Sequence, residues 1–175
     1  MSPVSKETPR RRSLVFLGRF LGFLALFYLV LASHPGNDRL ILPFTTIVAR
    51  ASGALLRAIG ESVAVVGTEI RSPTFSVNIE NGCNGVETAL LFGSAVLAFP
   101  STGKRRIAGL VIGFAAIELV NLVRVASLYW IGAHHPSLFA RSHTVIWQSL
   151  VVLWGILLFL VWAAPQTRAA EAAKG

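Results

Sequence analysis

The chain has 175 residues, 54% hydrophobic and only 14% charged, with a formal net charge of +8. Soluble domains carry about 25% charged residues, so this composition excludes an ordinary soluble domain and indicates an integral membrane protein. The single cysteine, Cys83, excludes a thiol oxidoreductase that works through paired cysteines.

The chain opens with Lys6, Arg10, Arg11 and Arg12 against Glu7. The apolar run Leu14–Ala32 follows. It can form the roughly 20-residue helix that spans a bilayer. It is too long for a signal-peptide core and no small-residue cleavage site follows it, so a retained first span is expected. Arg19 lies near its start and is expected to snorkel. Next, "LILPFTTIVARASGALLRAIG" places Thr46, Arg50, Gly53 and Arg57 along one side and Ile47, Val48, Ala54, Leu55 and Ile59 along the other. That pattern predicts an amphipathic helix on the outer membrane surface. Burying Arg50 and Arg57 as a further span would cost about 2.5–3.5 kcal/mol each.

"SVAVVGTEI" and "TFSVNIE" read as two short strands around Arg71-Ser72-Pro73, a small β-hairpin, with Phe75, Val77 and Ile79 on one face. The hairpin ends at "NGCNG" and delivers Cys83 to the mouth of a second span, Gly85–Phe99. "STGKRR" separates it from a third span, Ile107–Ile131, and Thr144–Ala164 forms a fourth. The expected fold is an all-α integral membrane protein of four transmembrane helices, with the outer amphipathic helix and the hairpin. Residues 1–12 and 165–175 are expected as cytoplasmic tails around a membrane domain of residues 13–164.

Charge placement orients the spans. Lys104, Arg105 and Arg106 lie between spans two and three, and Arg168 and Lys174 oppose Glu171 after span four. The segment 33–82 balances Arg39, Arg50, Arg57 and Arg71 against Asp38, Glu61, Glu69 and Glu80. Basic residues favour the cytoplasmic side, so both termini and the basic loop are expected inside. Flanking apolar spans, these clusters read as topology signals and no nucleic-acid partner is expected.

A helix rise of about 1.5 Å per residue sets depth. Counted from Pro100, Arg106 and Ala163, the positions of Cys83, Arg124 and His143 fall about 25, 27 and 30 Å away, one level near the outer interface. Three helices thus offer one set of reactive groups. A thiolate is the nucleophile, and an arginine, a protonated histidine or a helix N-terminus lowers its pKa. Cys83 is expected in the first turn of span two with all three nearby. Histidine can move the thiol proton to a leaving amine, arginine can hold a developing oxyanion, and Gly82 and Gly85 leave room for a peptide backbone.

"NGCNGVE", "NLVRV" and a histidine opening the last span resemble the exosortase/archaeosortase family of membrane cysteine transpeptidases, most closely the exosortase H subgroup. The resemblance spans about residues 14–163 and implies Cys83 as nucleophile with Arg124 and His143 as its catalytic partners. It further implies a bacterial cytoplasmic membrane, an active site on the periplasmic side, and substrates ending in a short motif, an apolar helix and a basic cluster. These would be cleaved near the motif, an IPTL-type one for this subgroup, and passed to an acceptor.

Glu87, one turn beyond Cys83, and the stripe Glu118, Asn121 and Arg124 must find partners inside the bundle. Glu87 is expected to pair with Arg124, and Asn121 to orient Arg124 or Cys83. Asn81 and Asn84 flank the nucleophile as candidate oxyanion donors. His134 and His135 are rival bases in the same outer loop. No cofactor is expected, and the two rival histidines lack a third metal ligand. Membrane lipids and sorting-signal proteins are the expected partners. The alternative is a small transporter or assembly factor using Glu87, Glu118 and Arg124 as an ion pathway, which needs no thiol.

Overall fold

A computed structural model of the chain describes residues 9–172. Lys6, Glu7 and Lys174, which the charge argument used, lie outside the described residues, as do the side chains of Arg168 and Glu171. Helix α1 covers Pro9–Ala32. A short turn α2, His34–Gly36, and a π-helical turn, Asn37–Ile41, lead into α3, Leu42–Ala58. Strands β1 (Ala64–Val66), β2 (Glu69–Arg71) and β3 (Ser76–Asn78) precede α4, Val86–Ala98. Helix α5 is Gly103–His134 and α6 is Pro136–Arg141. A second π-helical turn, Ser142–Trp147, leads into α7, Gln148–Ala172.

Four helices are long and apolar enough to cross a membrane: Arg10–Ala32, His34–Ala58, Gly103–His134 and Pro136–Thr167. Three of them contain the first, third and fourth spans read from the sequence. The membership of the fourth place differs. The expected second span is the 13-residue α4, about 20 Å long at helical rise. Gly85 in the left-handed region ends it on one side. On the other, Phe99 is extended (ψ 137°), as a residue before proline prefers. Helix α4 is walled by α1, α5 and α7, so the other helices rather than lipid surround it. Segment His34–Ala58, which contains most of the run read as a surface helix, meets the length and composition of a span.

The amphipathicity of α3 also runs otherwise than expected. Its buried stripe is Thr45, Val48, Ala49, Ser52, Gly53 and Leu56, a 3.6-residue repeat of mostly small side chains. Ile47 and Ile59, each 61% exposed, face outward with Arg50 and Arg57. Small residues win the inner face because α3 lies against α5 and under β1 and β2, where Val65 approaches Gly53 closely.

The predicted hairpin is a three-stranded antiparallel meander, β1-β2-β3. "SVAVVGTEI" breaks at Gly67 (φ +60°), the first central residue of a tight turn. Register pairs Ile70 with Val65 and Val77. Ile70, Ile79, Val125, Ala126 and Tyr129 then form one core with α3. A second core, Phe92, Val96 and Ile117 with Trp154, Phe159 and Trp162, fills the opposite half of the bundle. Large apolar side chains on α1, α5 and α7, such as Leu29, Ile112 and Leu160, remain exposed, as suits helices whose outer faces meet lipid.

Candidate active site

The turn before α4 places the thiol. Gly82 (φ +90°) and Gly85 (φ +81°) bracket Cys83 in backbone conformations that other residues rarely adopt. A Cβ at Gly85 would also meet the Glu118 carboxylate at 2.5 Å. Cys83 therefore sits in a tight turn, its N–H donating to Glu80 O, and not in the first helical turn as the sequence suggested.

The structure brings Cys83, Arg124 and His143 together. Cys83 Sγ lies 2.7 Å from His143 Nε2. Arg124 Nη2 lies 4.0 Å from the same sulfur and donates to Gln148 Oε1 at 3.0 Å. Arg124 is 2% exposed, and its Nε is buried without a partner, so its fork retains donor capacity. Its expected pairing with Glu87 is not made; Gln148 supplies the acceptor instead. Burial pushes the Cys83 thiol up, and Arg124 pulls it down against Glu80 and Glu87, which add to the rise. The expected lowering is thus reversed: the helix N-terminus starts too late to help, and desolvation outweighs the arginine.

His143 is held by ring stacking. Its imidazole is parallel to Phe139 (centroids 5.9 Å, 3°). Phe139 contacts Phe75 at 5.8 Å, and Phe75 contacts Tyr129 at 5.5 Å. Phe75 lies so close over Gly132 that a side chain there would collide with it. The π-helical turn carries His143 and precedes Gln148. Five residues apart, the two would point about 140° from each other on an ordinary helix; the wider turn lessens that angle.

The supporting residues divide. Asn84 is fully buried, and its Nδ2 donates to Thr45 Oγ1 (2.9 Å) and Asn81 Oδ1 (3.3 Å). Its Oδ1 accepts from Val86 N–H, so Asn84 ties the start of α4 to α3 and its amide donors are spent there rather than on an oxyanion. Asn81 donates to Asn37. Glu118 sits against Gly85 with both carboxylate oxygens buried, beside the amide of Asn121. Asn121 is buried on the same stripe and hydrogen-bonds neither Arg124 nor Cys83. Glu87 approaches Gly82. The rival His134 stacks on Trp130 (4.8 Å) and its Nε2 lies 3.8 Å from Glu61 Oε1; His135 also packs on Trp130. Neither reaches the sulfur. Among the described residues no cluster of side chains is arranged to hold a metal ion.

Gln148 and Phe139 were missed from the sequence, and Phe75 was read only as part of the apolar face of a strand. A lone glutamine in an apolar run was the available signal for Gln148; Phe139 carried none.

A protein-family model described as "Transmembrane exosortase (Exosortase_EpsH)" matches residues 11–169, nearly the whole chain. The chain belongs to the transmembrane exosortase family. No curated protein and no solved structure matches it. Within this exosortase, the matched region contains every residue of the cluster around Cys83.

Proposed function

We propose that this exosortase is a membrane cysteine transpeptidase that cleaves C-terminal sorting signals and transfers the released protein to an acceptor. The observation that carries the reading is the contact of Cys83 Sγ with His143 Nε2 at 2.7 Å, with Arg124 Nη2 beside the sulfur. His143, with its proton on Nδ1, accepts the thiol proton at Nε2 as sulfur attacks the scissile carbonyl. Burial pushes the Cys83 thiol up, which favours proton transfer to His143 in the course of attack. The carbonyl oxygen becomes an oxyanion within reach of the Arg124 fork. The C–N bond then breaks, and the imidazolium returns its proton to the leaving amine. An acceptor nucleophile resolves the thioester and restores the thiol.

Charge placement supports a bacterial cytoplasmic membrane topology with both termini and Lys104–Arg106 inside and Cys83 on the outer side. An impermeant thiol reagent should then label an introduced cysteine near Thr74 and spare one near Gly103. Cys83→Ser keeps the shape but weakens the nucleophile. It should accumulate in the membrane while a co-expressed substrate stays uncleaved; normal processing by this variant would refute the transpeptidase reading.

A further inference from the structure

A cleft of about 230 Å³ lies beside the nucleophile turn. One wall is Thr68, Asn78, Glu80 and Asn81; the facing wall is Asn37, Ile41 and Leu42, with Thr45 at its base. The cleft borders the Cys83 turn through Glu80 and Asn81. Asn81 precedes the nucleophile by two residues, and both Asn81 and Thr45 are bonded to Asn84. Its volume is below the roughly 300–1,000 Å³ of pockets that enclose small-molecule ligands, so it accommodates a side chain or two of a longer ligand.

The neighbouring backbone suits an extended ligand. Strand β3 is the last in the sheet. Ile79 N–H bonds to Thr68 O and Ser72 N–H to Phe75 O across the β2–β3 pair. In that alternating ladder the backbone groups of Ser76 and Asn78 face away from β2, and both residues are exposed. An unpaired edge of this kind takes a peptide as an added strand. The chain direction of β3 leads through Ile79 and Glu80 to Cys83.

The lining also selects by charge. Thr68 Oγ1 donates to Asn78 Oδ1 at 2.7 Å, and Asn78 Nδ2 donates to Glu80 Oε1 at 3.1 Å. Amides and hydroxyls offer both donors and acceptors, while the only charge in the lining is the Glu80 carboxylate. An acidic side chain entering the cleft would face Glu80 with no cation to offset it.

We propose that this cleft and the β3 edge together bind the extra-membrane segment of the substrate as an extended peptide, taking uncharged polar or cationic side chains and rejecting acidic ones, so that its scissile carbonyl reaches Cys83. This assignment rests on the transpeptidase reading and adds its specificity determinant.

The test uses the full chain in proteoliposomes and three hexapeptidyl chloromethyl ketones, which alkylate Cys83 by displacing chloride. They are identical except for Thr, Lys or Asp three residues before the reactive carbon. Iodoacetamide serves as a peptide-independent probe of the same thiol. The Thr and Lys reagents should react at least tenfold faster than the Asp reagent. Glu80→Gln should shrink that ratio severalfold; because it is a ratio on one thiol, changes in thiol ionisation cancel. Leu42→Trp should fill the cleft, slowing the Thr reagent about tenfold while iodoacetamide labelling stays within twofold. Equal rates for all three reagents, or no response to Leu42→Trp with iodoacetamide labelling intact, would overturn the cleft assignment and leave the transpeptidase reading standing. Normal substrate processing by Cys83→Ser would overturn the transpeptidase reading itself, whatever the peptide rates.

Discussion

The two ends of this bundle are built on different principles. At the end carrying the basic helix start, Phe16, Phe99, Phe159 and Trp162 pack ring against ring at 5.7–6.4 Å between α1, α4 and α7. Gly109 and Gly113 admit Trp162 and Phe92 against the α5 backbone. Arg106, at the start of α5, donates to Phe99 O and Ser101 O and so closes the end of α4. At the sheet end the core is interrupted by fully buried Asn84 and Asn121 and by Arg124, and two π-helical turns replace regular helix. Buried polar groups and widened turns cost stability. Asn84, Asn121 and Arg124 thus gather at the end that carries the reactive groups, while aromatic packing fills the other. Damage to one end should change how much protein accumulates, and damage to the other what each molecule does.

The largest effect is expected at Arg124. Arg124→Lys keeps the charge but replaces a planar fork with a single flexible ammonium. Loss of one oxyanion donor costs about 10²–10³ in rate. Paired blots for enzyme and cleaved substrate should show near-normal enzyme and almost no product. Full processing would make Arg124 a structural group bonded to Gln148 and remove it from the chemistry.

A smaller loss is expected at Gln148, whose side chain accepts from Arg124. Gln148→Leu strands a buried donor, a penalty of about 1–3 kcal/mol, and should lower processing about tenfold. The pH profile of Cys83 alkylation separates positioning from mere structure. Burial already sets the thiol above its ordinary value, and Arg124 is the influence that lowers it. A displaced Arg124 should therefore move the alkylation profile to still higher pH. An unchanged profile would mean that Gln148 does not position the guanidinium.

The smallest chemical effect belongs to the other end. Gly113→Ala drives a methyl group into the Phe92 ring, and overpacking costs about 1–3 kcal/mol. Accumulation should fall, while iodoacetamide labelling of Cys83 per folded molecule should not change. A slowed thiol would show that the two ends are coupled.

Much of this arrangement was legible in the sequence, for a physical reason. A nearly constant helical rise turns residue count into depth, so counting residues alone puts Cys83, Arg124 and His143 at one level. What that ruler omits is rotation and irregular backbone. It gave no sign that Asn84 would spend its amide on Thr45, or that Gln148 rather than Glu87 would meet Arg124, because both depend on how elements turn about their axes. The α3 stripe was misjudged for a related reason: against a packed protein surface small residues go inward, and Ile47 and Ile59 are left outside. Gly67 split the first predicted strand because a single glycine suffices for a tight turn. The expected low thiol pKa failed because proximity to Arg124 was weighed without the burial that comes with it.

The most direct test of Cys83 as nucleophile is the covalent intermediate itself. Membranes holding the enzyme and a substrate that ends in motif, apolar helix and basic tail would be quenched in acid during turnover and digested. Mass spectrometry would then seek a thioester on the peptide containing Cys83. The account predicts an acyl group ending at the cleaved bond, attached to Cys83, removed by neutral hydroxylamine and absent from Cys83→Ala. Cleavage that proceeds in Cys83→Ala, with no adduct on the wild-type cysteine, would contradict it.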